Sequence, residues 1–377
     1  MIGWYVHDHG SGHRRRLEAV ASHLDEPVTG MGSGEPAEGV GWLPLPPDAV
    51  RAPALGPAVT DPTAGGALHW APLGEPGMLG RAETVAAWAR ASGCRLLVVD
   101  VSVEMLLLGR LLGLPTVAVL QPGDRSDPAH VLGYATATAL LAPWPGSADR
   151  GPRSRRGAGS GSRDRRSRTR WTGAFSRFDG RPQQTDRTGC PAGRCAVLVL
   201  GRGGHGVRAS DVREAASATA AWHWHVAGDL VDDEPVDHAA VVEHGRVPDV
   251  WPLLCTADVV VGPCGGGLVA DVAAAGTPFL ALPQPRPFDE QAALAQMLDR
   301  SGLAVVARRW PAARAWPRLL DRLAADPART ARRWRTWADG AGAARAAAVV
   351  SGLARAHPPA PWGDSAAALL PVAGPSR

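Results

Sequence analysis

The chain contains no lysine, no asparagine and a single isoleucine, Ile2, so all 40 of its basic residues are arginine. That bias matches very GC-rich coding. With a net charge of only +4, it gives no reason to read the basic residues as a nucleic-acid surface. No apolar run reaches the ~20 uncharged residues that a membrane span needs. The most apolar stretch, 101–120, carries Glu104 and Arg110 and is broken by Pro115. No basic leader with a cleavage site precedes the first apolar strand, which points to the cytoplasm. Cysteine is scarce and odd in number, five residues without a C-x-x-C pair. That spacing argues for a reducing compartment and against a disulfide frame or a structural zinc site.

What is present suits two domains: 377 residues, 45% of them hydrophobic. Short β-branched runs alternate with helical periodicity, the pattern of parallel sheets in an α/β fold. Ile2–His7 reads as a strand, followed by a turn at Gly10-Ser11-Gly12-His13 and a helix over Arg14–Leu24. Between 148 and 170 the chain holds nine arginines among Gly, Ser and Asp, with almost nothing apolar to bury. This stretch is expected to be a flexible linker. A sharper reading makes it a basic arm that touches phosphate or an anionic membrane surface. The expected division is an N-terminal domain over 1–147, the linker over 148–170, a C-terminal domain over 171–356 and a disordered tail over 357–377.

The most informative stretch lies in the second domain. A valine run, Val259–Val261, leads into three glycines, Gly265, Gly266 and Gly267, then an alanine-rich helix ending at Gly276, then the apolar strand Phe279–Leu282. Glycines let a ligand approach the backbone, and a helix start offers free N–H groups to an anion. Asp271, one to two turns into the helix, is placed to accept hydrogen bonds from ribose or sugar hydroxyls. Asp289 and Gln291 follow at the head of the next helix. The residues Cys264, Gly265, Gly266, Asp271, Ala274, Ala275, Gly276, Pro278, Asp289 and Gln291 together resemble the donor-binding half of glycosyltransferase family 28. That family includes the enzyme that adds N-acetylglucosamine to lipid I. It usually carries Glu where Asp271 stands and an Asn where Ala295 falls.

The resemblance implies a GT-B architecture, two facing Rossmann-like domains with parallel sheets. It also implies an inverting, metal-independent hexosyltransferase that uses a nucleotide sugar, UDP-linked by likeness, and no cofactor. Gly203, Gly204 and His205 would face the donor diphosphate, with Cys264, Gly265, Gly266, Gly267, Asp271, Asp289 and Gln291 completing the donor site. His13, after Gly12 at the mouth of the first strand-turn-helix unit, is the candidate general base, because histidine titrates near operating pH. Asp100 and Glu104, with Gln121, Asp124 and Asp127, are candidates for the acceptor side, and each is also a plausible helix cap. The acceptor class stays open among lipid, glycan and small natural product, with peripheral contact at the inner membrane face as a further expectation.

Two other readings compete. Gly201-x-Gly203-x-x-Gly206 matches a dinucleotide fingerprint, and Asp229 lies near the spacing of a ribose-binding acid, which would suit an NAD- or FAD-dependent oxidoreductase. A sugar-nucleotide epimerase of the same fold would share the donor site. His7 and His9 share a strand face near His13, but no further ligand is placed to complete a metal site. His223 and His225 read as core histidines.

Overall fold

The computed structural model describes residues 1–8, 12–50, 52–149, 165–184, 193–201, 204–232 and 234–357. Seven parallel strands build the first sheet: β1 (Ile2–Val6), β2 (Val28–Gly32), β3 (Gly41–Pro44), β4 (Leu96–Asp100), β5 (Thr116–Val119), β6 (Ala139–Ala142) and β7 (Thr169–Trp171). Their order is β3-β2-β1-β4-β5-β6-β7. Six more, β8 (Arg194–Val199), β9 (Trp222–Ala227), β10 (Val241–Gly245), β11 (Val259–Gly262), β12 (Phe279–Ala281) and β13 (Ala304–Val306), form the second sheet in the order β10-β9-β8-β11-β12-β13. In both sheets the order reverses beside the first strand of the domain, which opens a crevice at the strands' carboxyl ends. The central strands β1, β4 and β11 are buried along their whole length, because crossover helices cover both faces of a parallel sheet. This is the expected pair of Rossmann-like domains.

Two expectations are corrected. The linker does not run to 170. Residues 150–164 lie outside the described residues, but Thr169–Trp171 is a strand paired to β6. The arginines just before it are held in place. Arg165 lies 4.8 Å from the Tyr134 ring centroid, and Arg168 donates to the carbonyls of Tyr134 and Ala137. A planar guanidinium can stack on a ring and donate several hydrogen bonds at once, so an arginine-rich run can be ordered without burying apolar surface. The tail from 358 also lies outside the described residues.

Second, the last helix, Gly342–Ala356, does not belong to the second domain. Its buried residues Ala346, Ala347, Val350 and Ala354 join Ile2, Leu17, Val20 and Leu96 in one apolar cluster of the first domain. Ser351 Oγ donates to Glu26 at 2.5 Å, and Arg355 pairs with the same carboxylate at 2.8 Å. An alanine- and valine-faced helix fits any parallel sheet, and its sequence does not say which one. Val350→Asp should therefore destabilise the first domain, by about 3–5 kcal/mol for a buried unpaired charge. The first transition in thermal unfolding, followed by hydrogen exchange of β1 and β4, reports it. Loss of protection in β8 and β11 instead would place the helix elsewhere.

Among the described residues, Cys94, Cys255 and Cys264 are free thiols.

Candidate active site

The crevices of the two domains meet in one cleft. Gly12, Arg15, Arg16 and Gln121 line it from the first domain, Ser176 and Arg177 from the connecting segment, and Gly266, Gly267 and Asp271 from the second. The approach is close: a Cβ added to Gly267 would sit 4.0 Å from the Gly12 Cα, and one added to Gly266 4.0 Å from an Arg16 nitrogen.

On the first-domain side, β4 ends in Asp100, which is fully buried. The next residue, Val101, has φ 66°, a left-handed conformation that a β-branched side chain tolerates poorly. Such strain collects at sites where the surroundings fix a geometry. Here the turn aims the Asp100 carboxylate at the helix Gly12–Ala21. Arg16 donates to both of its oxygens at 2.7 and 2.8 Å, and Gln121 Nε2 to one at 3.3 Å. His13 Nδ1 lies 3.0 Å from the same carboxylate. Burial alone would raise the Asp100 carboxyl, but the Arg16 guanidinium and His13 hold it below the usual carboxylate range. The pair is at ion-pair distance but lacks hydrogen-bond alignment, and an ionised Asp100 there favours a proton on the Nδ1 that faces it.

On the second-domain side, the helix Gly266–Ala275 starts after Gly265, and no side chain caps it. Its first amides and its positive dipole end therefore face the cleft without an internal anion. Asp271 is buried at the cleft wall and accepts a 2.5 Å hydrogen bond from Ser176 Oγ. Burial pushes its carboxyl up to about 6, against the opposing pull of Ser176, Arg177 and Arg15. Gln291 is buried, and its Oε1 accepts from the backbone amides of Cys264 at 3.0 Å and Gln284 at 2.9 Å. It thereby fixes the glycine turn against the following loop. The Cys264 thiol is buried, which raises its pKa and leaves it inert. Asp289 is exposed and left-handed, with φ 54°.

The other glycine turn is different. Gly203 lies outside the described residues. Gly204 is present at φ 83°, and its carbonyl accepts from Arg286 at 2.9 Å. His205 has both ring nitrogens engaged with backbone, at 2.9 Å from the Asp229 carbonyl and 3.3 Å from the Val207 amide. The helix that follows, Ala209–Ala218, is already capped. Asp211 accepts from Arg208 N at 2.9 Å, and Asp232 from Ala209 N at 2.9 Å. Two side-chain carboxylates thus hold the first amides of this helix, whereas the helix start at Gly265–Gly267 carries no side-chain cap. Asp229, the acid that a dinucleotide reading needs, is ion-paired with Arg246.

Glu104 is committed to the scaffold. Its Oε1 accepts from the amides of His69 at 2.8 Å and Trp70 at 3.1 Å, fastening that loop to the helix Val103–Leu111. Asp124 accepts from the Ser126 amide as a turn residue. Asp127 caps the helix Pro128–Thr136 and also bonds two histidines, which sequence reasoning missed. His69 Nε2 lies 2.9 Å from Asp127 Oδ1, and His130 Nδ1 lies 2.6 Å from Oδ2. These three residues have ligand-capable atoms within 4.8 Å of one another. However, Arg125 sits 3.4 Å from His130 Nε2. A metal on Nδ1 would require a proton on Nε2, pointing it at the Arg125 donor, so the group reads as a hydrogen-bond chain. Burial lowers the His130 pKa to about 4, and hydrogen bonds from His130 and His69 hold Asp127 low despite its partial burial. His9 lies outside the described residues, and His225 is buried against His244, their ring nitrogens 2.8 Å apart. Among the described residues, no helix is long and apolar enough to cross a membrane.

No protein-family model matches the chain. Two curated relatives from Synechococcus strains, one of them Synechococcus elongatus, are 36% identical over 118 residues, 29% of this chain. Both are UDP-N-acetylglucosamine–N-acetylmuramyl-(pentapeptide) pyrophosphoryl-undecaprenol N-acetylglucosamine transferases, of the family that the glycine-rich stretch resembles. The chain spans about a third of the length of these relatives, 33% and 32%. Among solved structures, the glycotransferase of kitacinnamycin superposes with a TM-score of 0.66 at 18% identity, covering 93% of this chain and 98% of that one. The spinosyn forosaminyltransferase SpnP gives 0.65 at 15%, covering 94% and 99%. MurG of Acinetobacter baumannii gives 0.60 at 15%, covering 93% and 99%. The fold is GT-B.

Proposed function

We propose that this chain is a glycosyltransferase that moves a sugar from a nucleotide diphosphate, UDP-linked, to an acceptor hydroxyl, with inversion and without a metal. The observation that carries the reading is the cleft between the domains, with the uncapped helix start at Gly265–Gly267 on one side and, next to Gly12 and Arg16 on the other, the His13–Asp100 pair. His13 Nε2 takes the acceptor proton as the acceptor oxygen bonds the anomeric carbon. The bond from that carbon to the diphosphate breaks, and the leaving group keeps the electron pair. The amides of the glycine turn and the helix dipole stabilise its charge, which is the task a cation would otherwise perform. Asp100 stabilises the imidazolium. A single displacement of this kind inverts the anomeric centre. Asp271 accepts from the ribose hydroxyls, and no cofactor beyond the nucleotide sugar takes part.

The acceptor stays a class, a hydroxyl on a lipid, glycan or natural product. The curated relatives carry a polyprenyl acceptor in their names and the solved neighbours natural products. A cytoplasmic location with peripheral membrane contact fits the first of these.

A thermal-shift screen with UDP, dTDP, GDP and NAD tests the nucleotide part. At about 100 times Kd a ligand stabilises by about 2.7 kcal/mol, which is a resolvable rise in Tm. UDP or dTDP should raise Tm and NAD should not; the reverse pattern would favour the oxidoreductase reading. Turnover should survive EDTA. Loss restored by a divalent ion would overturn the metal-free part, and a product keeping the donor's anomeric configuration would overturn the single displacement.

A further inference from the structure

The cleft holds more hydrogen-bond donors than its own carboxylates engage. Arg15, Arg16, Trp144 and Arg177 all line it, beside the helix start at Gly266 and Gly267. Arg16 spends one nitrogen, Nη1, on both oxygens of Asp100. Its other terminal nitrogen, Nη2, lies 4.0 Å from where a Cβ on Gly266 would stand, so it faces the second domain's helix start. Arg15 makes no hydrogen bond or ion pair among the described residues. Burial and the nearby Arg177 guanidinium lower its pKa, against the pull of Asp271. Trp144 is only 6% exposed, and its indole N–H, like Arg177 Nε, is buried without an acceptor among the described residues. The carboxylates are already in use: Asp100 faces Arg16 and His13, and Asp271 accepts from Ser176. A buried donor without an acceptor is costly, and an arginine stays charged at neutral pH, so a cavity lined in this way fits an anion. Guanidiniums beside a helix start suit phosphate, because each offers a planar fork of N–H groups to its oxygens.

We infer that Arg15 and the free Nη2 of Arg16 belong to a diphosphate subsite that the first domain completes against the glycine turn. They add donors to the anchors on the second domain and meet the leaving group from the opposite side. Arg15 is thus a catalytic residue, and His13 has no part in this subsite. That the anion is a nucleotide's diphosphate rests on the glycosyltransferase reading; the anion site itself does not.

The test is calorimetry of the full chain with inorganic pyrophosphate and with UDP. Arg15→Gln removes the charge without orphaning a partner, so its Tm should equal or exceed the wild type's. Pyrophosphate and UDP should each bind it about 10- to 100-fold more weakly, the range of a hydrogen bond to a charged group. Arg15→Lys, which keeps the charge but not the fork, should fall between the two. Arg14 pairs with Glu35 and does not line the cleft, so Arg14→Gln removes the same charge and should leave both affinities unchanged. Unchanged pyrophosphate binding in Arg15→Gln would overturn the inference, as would equal weakening in Arg14→Gln. Pyrophosphate binding that needs Arg15, with UDP bound no more tightly, would keep the anion site and sink the nucleotide reading. UDP binding that ignores Arg15→Gln would keep that reading and sink the subsite, and a wild type that binds neither ligand would end both.

Discussion

Replacing His13 with alanine is expected to lower turnover by about 10²–10⁴ while UDP affinity stays within about twofold. The split follows from geometry. His13 Nδ1 lies 3.0 Å from Asp100 in the first domain, whereas the nucleotide's proposed anchors stand on the second domain. Asp100→Asn should produce a loss of similar order, because an amide no longer fixes the proton on Nδ1. The two changes should not add, since they disable one unit, and the double variant should fall little below either single one. Asp100→Asn also leaves Arg16 without its carboxylate in a part-buried site, so its stability should drop where that of His13→Ala does not. Near-wild-type turnover in His13→Ala would end the assignment.

Asp271→Asn should weaken UDP by about 1.5–3 kcal/mol, the contribution of a hydrogen bond to a charged group, and yet make the free protein more stable above pH 6. The second effect follows from linkage. The folded carboxyl titrates at about 6 and an unfolded Asp at ~3.9, so between those values the folded chain holds a proton that the unfolded chain has released. Stability from this group is full below ~3.9 and is lost as pH rises through about 6, by up to about 3 kcal/mol. Asparagine is isosteric, keeps the acceptor for Ser176 and carries no charge to desolvate. Its Tm should exceed the wild type's by on the order of 5 °C at pH 8 and match it near pH 4. Wild-type UDP affinity should fall as pH drops below about 6, where the carboxylate takes up its proton. An unchanged UDP affinity in Asp271→Asn would remove the residue from the site. A Tm equal to the wild type's at both pH values would show that its burial is relieved in solution.

Local patterns predicted local structure well here and long-range assignments poorly. Val259–Val261 and Leu96–Asp100 were legible as strands because fully buried parallel strands are continuous apolar runs, and both lie at sheet centres. His13 and Asp271 were legible through their positions after glycine turns. Asp100 was legible as a strand end, but its bonds to His13 and Arg16 were not, because they cross more than 80 residues of chain. The cap supplied by Asp211 is a short-range signal that a sequence shows, whereas Asp232 reaches Ala209 N from 23 residues away. Reading both glycine turns as equivalent was therefore natural from sequence, and the structure separates them.

The return of Gly342–Ala356 to the first sheet has a consequence for how the chain is made. Until that helix leaves the ribosome, the apolar face formed by Ile2, Leu17, Val20 and Leu96 has no cover. At about 5–20 residues per second, synthesis from the end of β7 to the helix takes roughly 10–35 s. During that interval the second domain can complete all six of its strands, although it begins later. The domain synthesised first is thus the one that finishes last. A nascent chain arrested before Gly342 should therefore be the form that chaperones bind.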